Sequence, residues 1–265
     1  MATSDSQGGV VVVTGASRGI GRQVCINLLS SSTQLHVVAV GRTRSDLSSL
    51  AHTCDNSSRL VIVAGDIADS ATQTQISALL QTLKLPVLAV VNNAASVTPT
   101  GPLLDTSASE WAHLLSTNLT AALVLCSTCI DALQESRGRI INVSSSASQR
   151  PVPGFSAYGM TKAALNYATQ ALALEYPKVT SIAFYPGVVN TDMNQAARQS
   201  AAAYVADPRT HLDTSALTAK LSDPIPVDLP SVIIANLALR ADPSLSGRYV
   251  TYSDDEMHAY HSSPH

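Results

Sequence analysis

Tyr158 and Lys162, in Tyr158-Gly159-Met160-Thr161-Lys162, are the residues of this sequence whose types and spacing most directly suggest chemistry. On a helix, positions i and i+4 project from one face. Y-x-x-x-K alone recurs by chance, and the serines of Asn142-Val143-Ser144-Ser145-Ser146, at the end of a β-branched run shortly before it, give it specificity. A serine hydroxyl and a phenol can both donate to one oxygen. That is what a carbonyl under reduction requires: hydride arriving at carbon leaves an alkoxide that needs hydrogen-bond donors and then a proton. A free phenol titrates near 10, too high for ready proton exchange at neutrality. A nearby ammonium, with any positive charge a bound group adds, would favour the phenolate and lower that value.

A second constellation lies near the N-terminus. A valine-rich run ends in Thr14-Gly15-Ala16-Ser17-Arg18-Gly19-Ile20-Gly21, whose glycines are spaced G-x-x-x-G-x-G. A tight glycine turn opening a helix lets backbone N–H groups and the helix N-terminus face a pyrophosphate.

These residues need a scaffold that brings them together. Val10–Thr14, His36–Gly41, Leu60–Ala64, Val87–Val91, Arg139–Ser144 and Thr180–Phe184 read as buried strands, and Tyr249–Tyr252 as a last edge strand. Nearly continuous apolar runs without alternation suit a parallel sheet covered on both faces. Between them, residues 18–30, 44–54, 70–83, 107–135 and 155–175 are long enough for crossover helices. The expected fold is a single doubly wound Rossmann-type α/β domain over 1–265, with about seven parallel strands and helices on both faces. Residues 1–9 read as a flexible tail. Asn190–Val227 breaks the rhythm directly after a strand's C-terminal end, and reads as a substrate lid.

With its motifs in this order, the chain resembles the classical short-chain dehydrogenase/reductase family over roughly residues 10–252. The resemblance singles out Ser145 among its neighbours and implies a catalytic set of Asn118, Ser145, Tyr158 and Lys162. In it, Asn118 holds a proton-relaying water and Lys162 also binds the nicotinamide ribose. For the cofactor it implies contacts from Gly15, Ser17, Arg18, Gly19, Ile20 and Gly21, from Asp66 and Ile67 at the adenine, and from Asn93 and Ala94. Pro186, Gly187, Val189 and Thr191, in Pro186-Gly187-Val188-Val189-Asn190-Thr191, would anchor the carboxamide and direct transfer from the 4-pro-S face. One departure is Ala95, where the family's N-N-A-G motif ends in glycine.

Cofactor choice follows from charge. The position where family members that use NAD carry an acid is Gly41, followed by Arg42. A guanidinium there, with Arg18 in the glycine loop, can hold a 2′-phosphate through charge-assisted contacts, so NADPH/NADP+ is expected. Around the chemical end, Ala95, Ser96, Ser146, Gln149, Pro153 and Phe155 form a wall with few charges, which suits a small neutral carbonyl compound. Within the family, YGMTKAALN, PGVVNTDM and SGRYVTY look most like the sepiapterin reductase and fungal benzil reductase-like branch, whose members reduce ketones and vicinal dicarbonyls.

Composition excludes other classes. A net charge of −3, with two Phe and one Trp, gives no reason to expect nucleic acid or an anionic membrane as partner. No apolar run approaches the ~20 residues of a membrane span. MATSDSQGG does not read as a signal peptide, and four cysteines read as reduced thiols suit a reducing compartment, so a cytoplasmic location is expected. Cys126 and Cys129 form a lone C-x-x-C that reads as packing residues, and no metal is expected. The family's habit of pairing its two long helices implies a homodimer or homotetramer. Two rivals remain on the same fold: an NADP-binding regulatory or scaffold protein, and a dehydratase or epimerase.

Overall fold

In the computed structural model, which describes residues 8–54, 57–205 and 223–263, seven strands form one parallel sheet. They are β1 (Gly9–Thr14), β2 (Leu35–Gly41), β3 (Leu60–Ala64), β4 (Val87–Asn92), β5 (Arg139–Val143), β6 (Thr180–Tyr185) and β7 (Tyr249–Thr251), in the order β3-β2-β1-β4-β5-β6-β7. The α-helices among the described residues are α1 (Gly19–Ser31), α2 (Arg44–Thr53), α3 (Ser70–Leu83), α4 (Ala108–Leu115), α5 (Ala121–Ser136), α6 (Ser156–Glu175), α7 (Asp192–Val205) and α8 (Asp228–Arg240).

Alternate residues of each strand serve opposite faces, and both faces are buried. Val11, Val13, Val37 and Val91 pack with Val24 and Leu28 of α1 and with Ile233 and Leu237 of α8. Val10, Val12, Val38 and Val90 pack with Ile76 of α3 and with Leu125, Cys129 and Leu133 of α5. Continuous valine runs therefore have apolar partners on either side, which is why they lack alternation. Cys126 and Cys129 lie in the second of these layers, as packing residues; burial raises their thiols to about 11 and about 12.

The strand order reverses between β1 and β4. From β1 the chain moves outward through β2 to β3, then crosses to β4 and continues the other way. The loops after β1 and β4 consequently diverge, opening a crevice at their C-terminal ends. Thr14 and Asn93 hold its two lips: Asn93 Nδ2 donates to the carbonyls of Thr14 and Gly15 at 2.9 and 3.2 Å, and Thr14 Oγ1 accepts from the N–H groups of Asn93 and Ala94 at 3.0 Å each.

Three expectations need correction. Gly9 opens β1, so the tail does not reach it. The segment after β6 is not uniformly irregular: α7 occupies its first part, and the hydrogen bonds Asn190 N to Ile225 O (2.9 Å) and Ile225 N to Val188 O (2.8 Å) close its base. Residues 206–222 of the expected lid lie outside the described residues. Third, α4 and α5 join through a π turn, Ser116–Thr120, into one helical stretch, Ala108–Ser136, of 29 residues. By length and composition it could cross a membrane, which interspersed Ser, Thr and Asn conceal in the sequence; Leu125, Cys126, Cys129 and Leu133 bury one face of it against the sheet.

Candidate active site

Above the crevice lies a cavity of about 790 Å³. From the nucleotide end of the sequence reading, Gly15, Ser17, Arg18, Gly19, Ile20, Arg42, Asp66, Ile67, Asn93 and Ala94 line it. From the chemical end, Ser145, Tyr158, Lys162, Pro186, Gly187, Val189 and Thr191 do so. Gly21 and Asn118 are not in its lining.

The glycine turn shows why glycine is needed. Gly15 has φ +66°, and a Cβ there would lie 2.7 Å from Asn93 Nδ2 and 3.0 Å from Ala94 Cα. Gly21 is pressed against the turn, where a Cβ would sit 2.4 Å from Gly15 O, so its role is to let α1 begin close to β1. The result is a narrow cradle at a helix N-terminus, with Gly41 packed beside Ser17 and exposed Arg18 and Arg42 at its edge. This geometry fits a nucleotide pyrophosphate with an anionic group near the arginines. Asp66 Oδ1 accepts from Ala68 N at 2.9 Å, which fixes the carboxylate after β3.

At the other end, α6 carries Tyr158 and Lys162 one turn apart. Lys162 is 2% exposed; its Nζ donates to Val143 O at 2.8 Å and lies 5.8 Å from the Tyr158 ring centroid. Burial pushes its ammonium down to about 8. Burial of Tyr158 works against the lowering expected from Lys162 and an oxidised nicotinamide. Desolvation pushes its phenol up to about 12, outweighing a hydrogen bond with the Ser145 side chain that pulls it down. Burial makes the phenolate costly, and Lys162 directs its ammonium at a carbonyl, so the phenol is held protonated.

Asn118 lies within the π turn and is 1% exposed. Its Oδ1 accepts from Ser96 N at 2.7 Å, and its Nδ2 donates to Ser96 O at 2.8 Å and to Thr161 Oγ1 at 3.0 Å. The side chain thus joins the loop after β4 to α6, beside Lys162. A π turn marking this junction agrees with the tendency of such turns to occur at functional sites.

Ala95, Ser96, Ser146, Pro153 and Phe155 line the cavity as expected, whereas Gln149 does not: its Nε2 is directed at Ser148 Oγ, at 3.3 Å. Sequence reasoning missed Tyr185, Arg150 and Asn194, all in the lining. Asn194, in the first turn of α7, is 7% exposed, and neither of its side-chain amide atoms has a hydrogen-bond partner among the described residues. A signal for it was available, because a polar residue three places after Thr191 on a helix must return toward the same wall.

The comparisons agree with this architecture. Residues 9–202 match the family model described as short chain dehydrogenase. The chain is 30% identical over 262 residues to benzil reductase ((S)-benzoin forming) IRC24 of Saccharomyces cerevisiae, covering 94% of this chain and 98% of that protein. The crystal structure of the YIR035C short-chain dehydrogenase/reductase from the same yeast superposes with a TM-score of 0.87 at 27% identity, covering 96% of this chain and all of the other. A putative NAD(P)-dependent gluconate 5-dehydrogenase from Beutenbergia cavernae, solved with bound NADP at low occupancy, aligns at 27% identity with a TM-score of 0.74, covering 94% of this chain and 96% of the other. The glycine cradle, the parallel sheet and the Ser145–Tyr158–Lys162 grouping thus coincide with a match over most of the chain: this protein belongs to the short-chain dehydrogenase/reductase family of oxidoreductases.

Proposed function

We propose that this protein is an NADPH-dependent carbonyl reductase acting on a small neutral ketone or vicinal dicarbonyl, with Tyr158 as general acid. The observation that carries this reading is the grouping of Tyr158, Ser145 and Lys162 in the same cavity as the glycine cradle, Arg18 and Arg42. A phenol held near 12 is fully protonated at neutral pH, which is the state a reduction consumes. The benzil reductase relative supports the dicarbonyl assignment, and the apolar wall of Val97, Val152 and Phe155 suits an uncharged substrate.

The glycine cradle, Asp66 and Ile67 would hold the nucleotide, with Arg18 and Arg42 on its 2′-phosphate. Val189 and Thr191 would hold the carboxamide, and Lys162 the nicotinamide ribose. Bound there, NADPH supplies the hydride. Ser145 Oγ and Tyr158 Oη both donate to the carbonyl oxygen, so that charge developing on it meets two donors already in place. Tyr158 then transfers its proton to that oxygen, and the ammonium of Lys162 stabilises the phenolate left behind. Asn118 holds the loop carrying Ser96 against α6, fixing the helix that bears Tyr158.

Closure of α7 would exclude water from the substrate, and the chain would form one catalytic domain. Met160, Tyr167 and Leu174 recur every seventh residue along α6 and are exposed, as are Leu115 and Val124 near the π turn. An apolar stripe on these helices supports a homodimer or homotetramer, and the reaction suits a cytoplasmic setting. The test is NADPH oxidation, followed by absorbance, with a panel of neutral diketones. Consumption of NADPH with formation of a hydroxyketone supports the proposal. Binding of NADPH without turnover on any diketone favours the scaffold rival, and substrate conversion without NADPH consumption favours the dehydratase or epimerase.

A further inference from the structure

We infer that Asn166 is a positioning residue for this reaction, holding Ser145 in register with Tyr158; the inference rests on the reductase reading above. The end of β5 is laced to α6 residue by residue. Asn142 Nδ2 donates to Thr169 Oγ1 at 2.9 Å, Val143 O accepts from Lys162 Nζ at 2.8 Å, and Ser144 Oγ donates to Asn166 Oδ1 at 2.6 Å. Asn166 then reaches past Ser145: its Nδ2 donates to Ser148 Oγ at 2.8 Å. Ser148 Oγ in turn donates to the carbonyl of Ser145 at 2.5 Å. Ser145 is therefore bracketed on both sides by one side chain, while its own Oγ accepts from Ala147 N at 3.2 Å and lines the same cavity as Tyr158.

Three features make this arrangement more than general packing. Tyr158, Lys162 and Asn166 follow one another every fourth residue, so the helix face that presents the phenol also sets the serine. The side chain must accept at Oδ1 and donate at Nδ2 simultaneously; an amide does both, a carboxylate cannot donate and an apolar residue does neither. Asn166 is 7% and Ser144 is 3% exposed, so water cannot replace a lost partner easily. The turn also has little slack, because a Cβ on Gly159 would lie 2.6 Å from Ala147 O. Two donors that must meet one oxygen tolerate little displacement, and a shift of about 1 Å can cost about a hundredfold in rate.

The test is a double-mutant cycle in the full chain, with NADPH and benzil as probes: Asn166→Ala, Ser145→Ala and the two combined. If Asn166 acts through Ser145, Asn166→Ala lowers kcat about tenfold to a hundredfold, and adding it to Ser145→Ala costs less than about twofold more. NADPH affinity, measured by fluorescence titration, stays within about twofold of the parent in every variant, a split between kcat and binding that general loosening of α6 would not produce. Additive losses, or a parallel loss of NADPH affinity, overturn the role. Ser148→Ala severs the same brace from the turn side, and in its own cycle with Ser145→Ala it decides the matter should Asn166→Ala fail to fold. A parent enzyme that reduces no diketone overturns the reductase reading and this role with it; an active parent with an additive cycle overturns this role alone.

Discussion

Arg18 Nη1 donates to Asp192 Oδ2 at 2.8 Å, joining the glycine turn to the first residue of α7 across 174 positions of sequence. Both side chains are exposed, so the pair contributes at most about 1 kcal/mol. Its consequence is competition, since the same guanidinium is proposed to hold the 2′-phosphate. Asp192→Asn should tighten NADPH binding about twofold to fivefold and leave NADH binding unchanged. Titration by nicotinamide fluorescence reads both; equal tightening for the two cofactors would remove Arg18 from the 2′-phosphate site.

Cofactor preference gives a broader check. Loss of a charge-assisted contact costs about 1.5–3 kcal/mol, so NADPH should be favoured over NADH about tenfold to a hundredfold in kcat/KM. Arg18→Ala combined with Arg42→Ala should remove most of that preference with little change in NADH kinetics. Equal use of both cofactors by the parent contradicts the assignment.

Much of this was legible in the sequence because the relevant constraints are local. A strand must end where Thr14-Gly15 turns, and glycine at 15 is required by a positive φ and by the approach of Asn93. Valine runs signalled a doubly covered sheet, and the Tyr158–Lys162 spacing signalled a shared helix face. What escaped depends on contacts distant in sequence. The Asn118 amide is taken up by Ser96 and Thr161, and no spacing reveals that. The raised phenol of Tyr158 arises from burial, whereas pairing it with Lys162 in the sequence suggests the opposite sign. Helix α8 went unread because its apolar residues are buried nearly all round, from Ile233 to Ala238, leaving no amphipathic period to detect.

The pH dependence follows from Lys162. With its ammonium pushed down to about 8, kcat/KM for reduction should be level below pH 7 and decline above about 8 as that charge is lost. Stability moves the other way. Between about 8 and the unfolded value of 10.5, the unfolded chain keeps a proton that the folded chain has released, so this residue's contribution to stability rises with pH there. Activity lost at pH 9 should therefore not be accompanied by a Lys162-dependent drop in Tm; melting curves of the parent and Lys162→Met at pH 7 and 9 check this. The parent should gain relative to the variant at the higher pH.

Oligomerisation can be tested on the exposed stripe of α6. Tyr167 is 74% and Leu174 is 83% exposed, so the double change Tyr167→Arg with Leu174→Arg should leave the protomer's fold intact. If this face joins two copies, buried like charges prevent the assembly. Sedimentation velocity should show a dimer or tetramer for the parent and a monomer for the variant; identical profiles contradict use of this face.

The most direct test of the account is Tyr158→Phe, measured for diketone reduction with NADPH. The change removes one oxygen and leaves the ring packed, so melting temperature and NADPH affinity should match the parent. Because that oxygen supplies both the proton and one of two donors to the alkoxide, turnover should fall by at least about 10²–10⁴-fold. Lys162→Ala should differ by weakening NADPH binding as well. A Tyr158→Phe variant that melts normally, binds NADPH normally and still reduces the diketone near the parent rate would contradict the proposed mechanism.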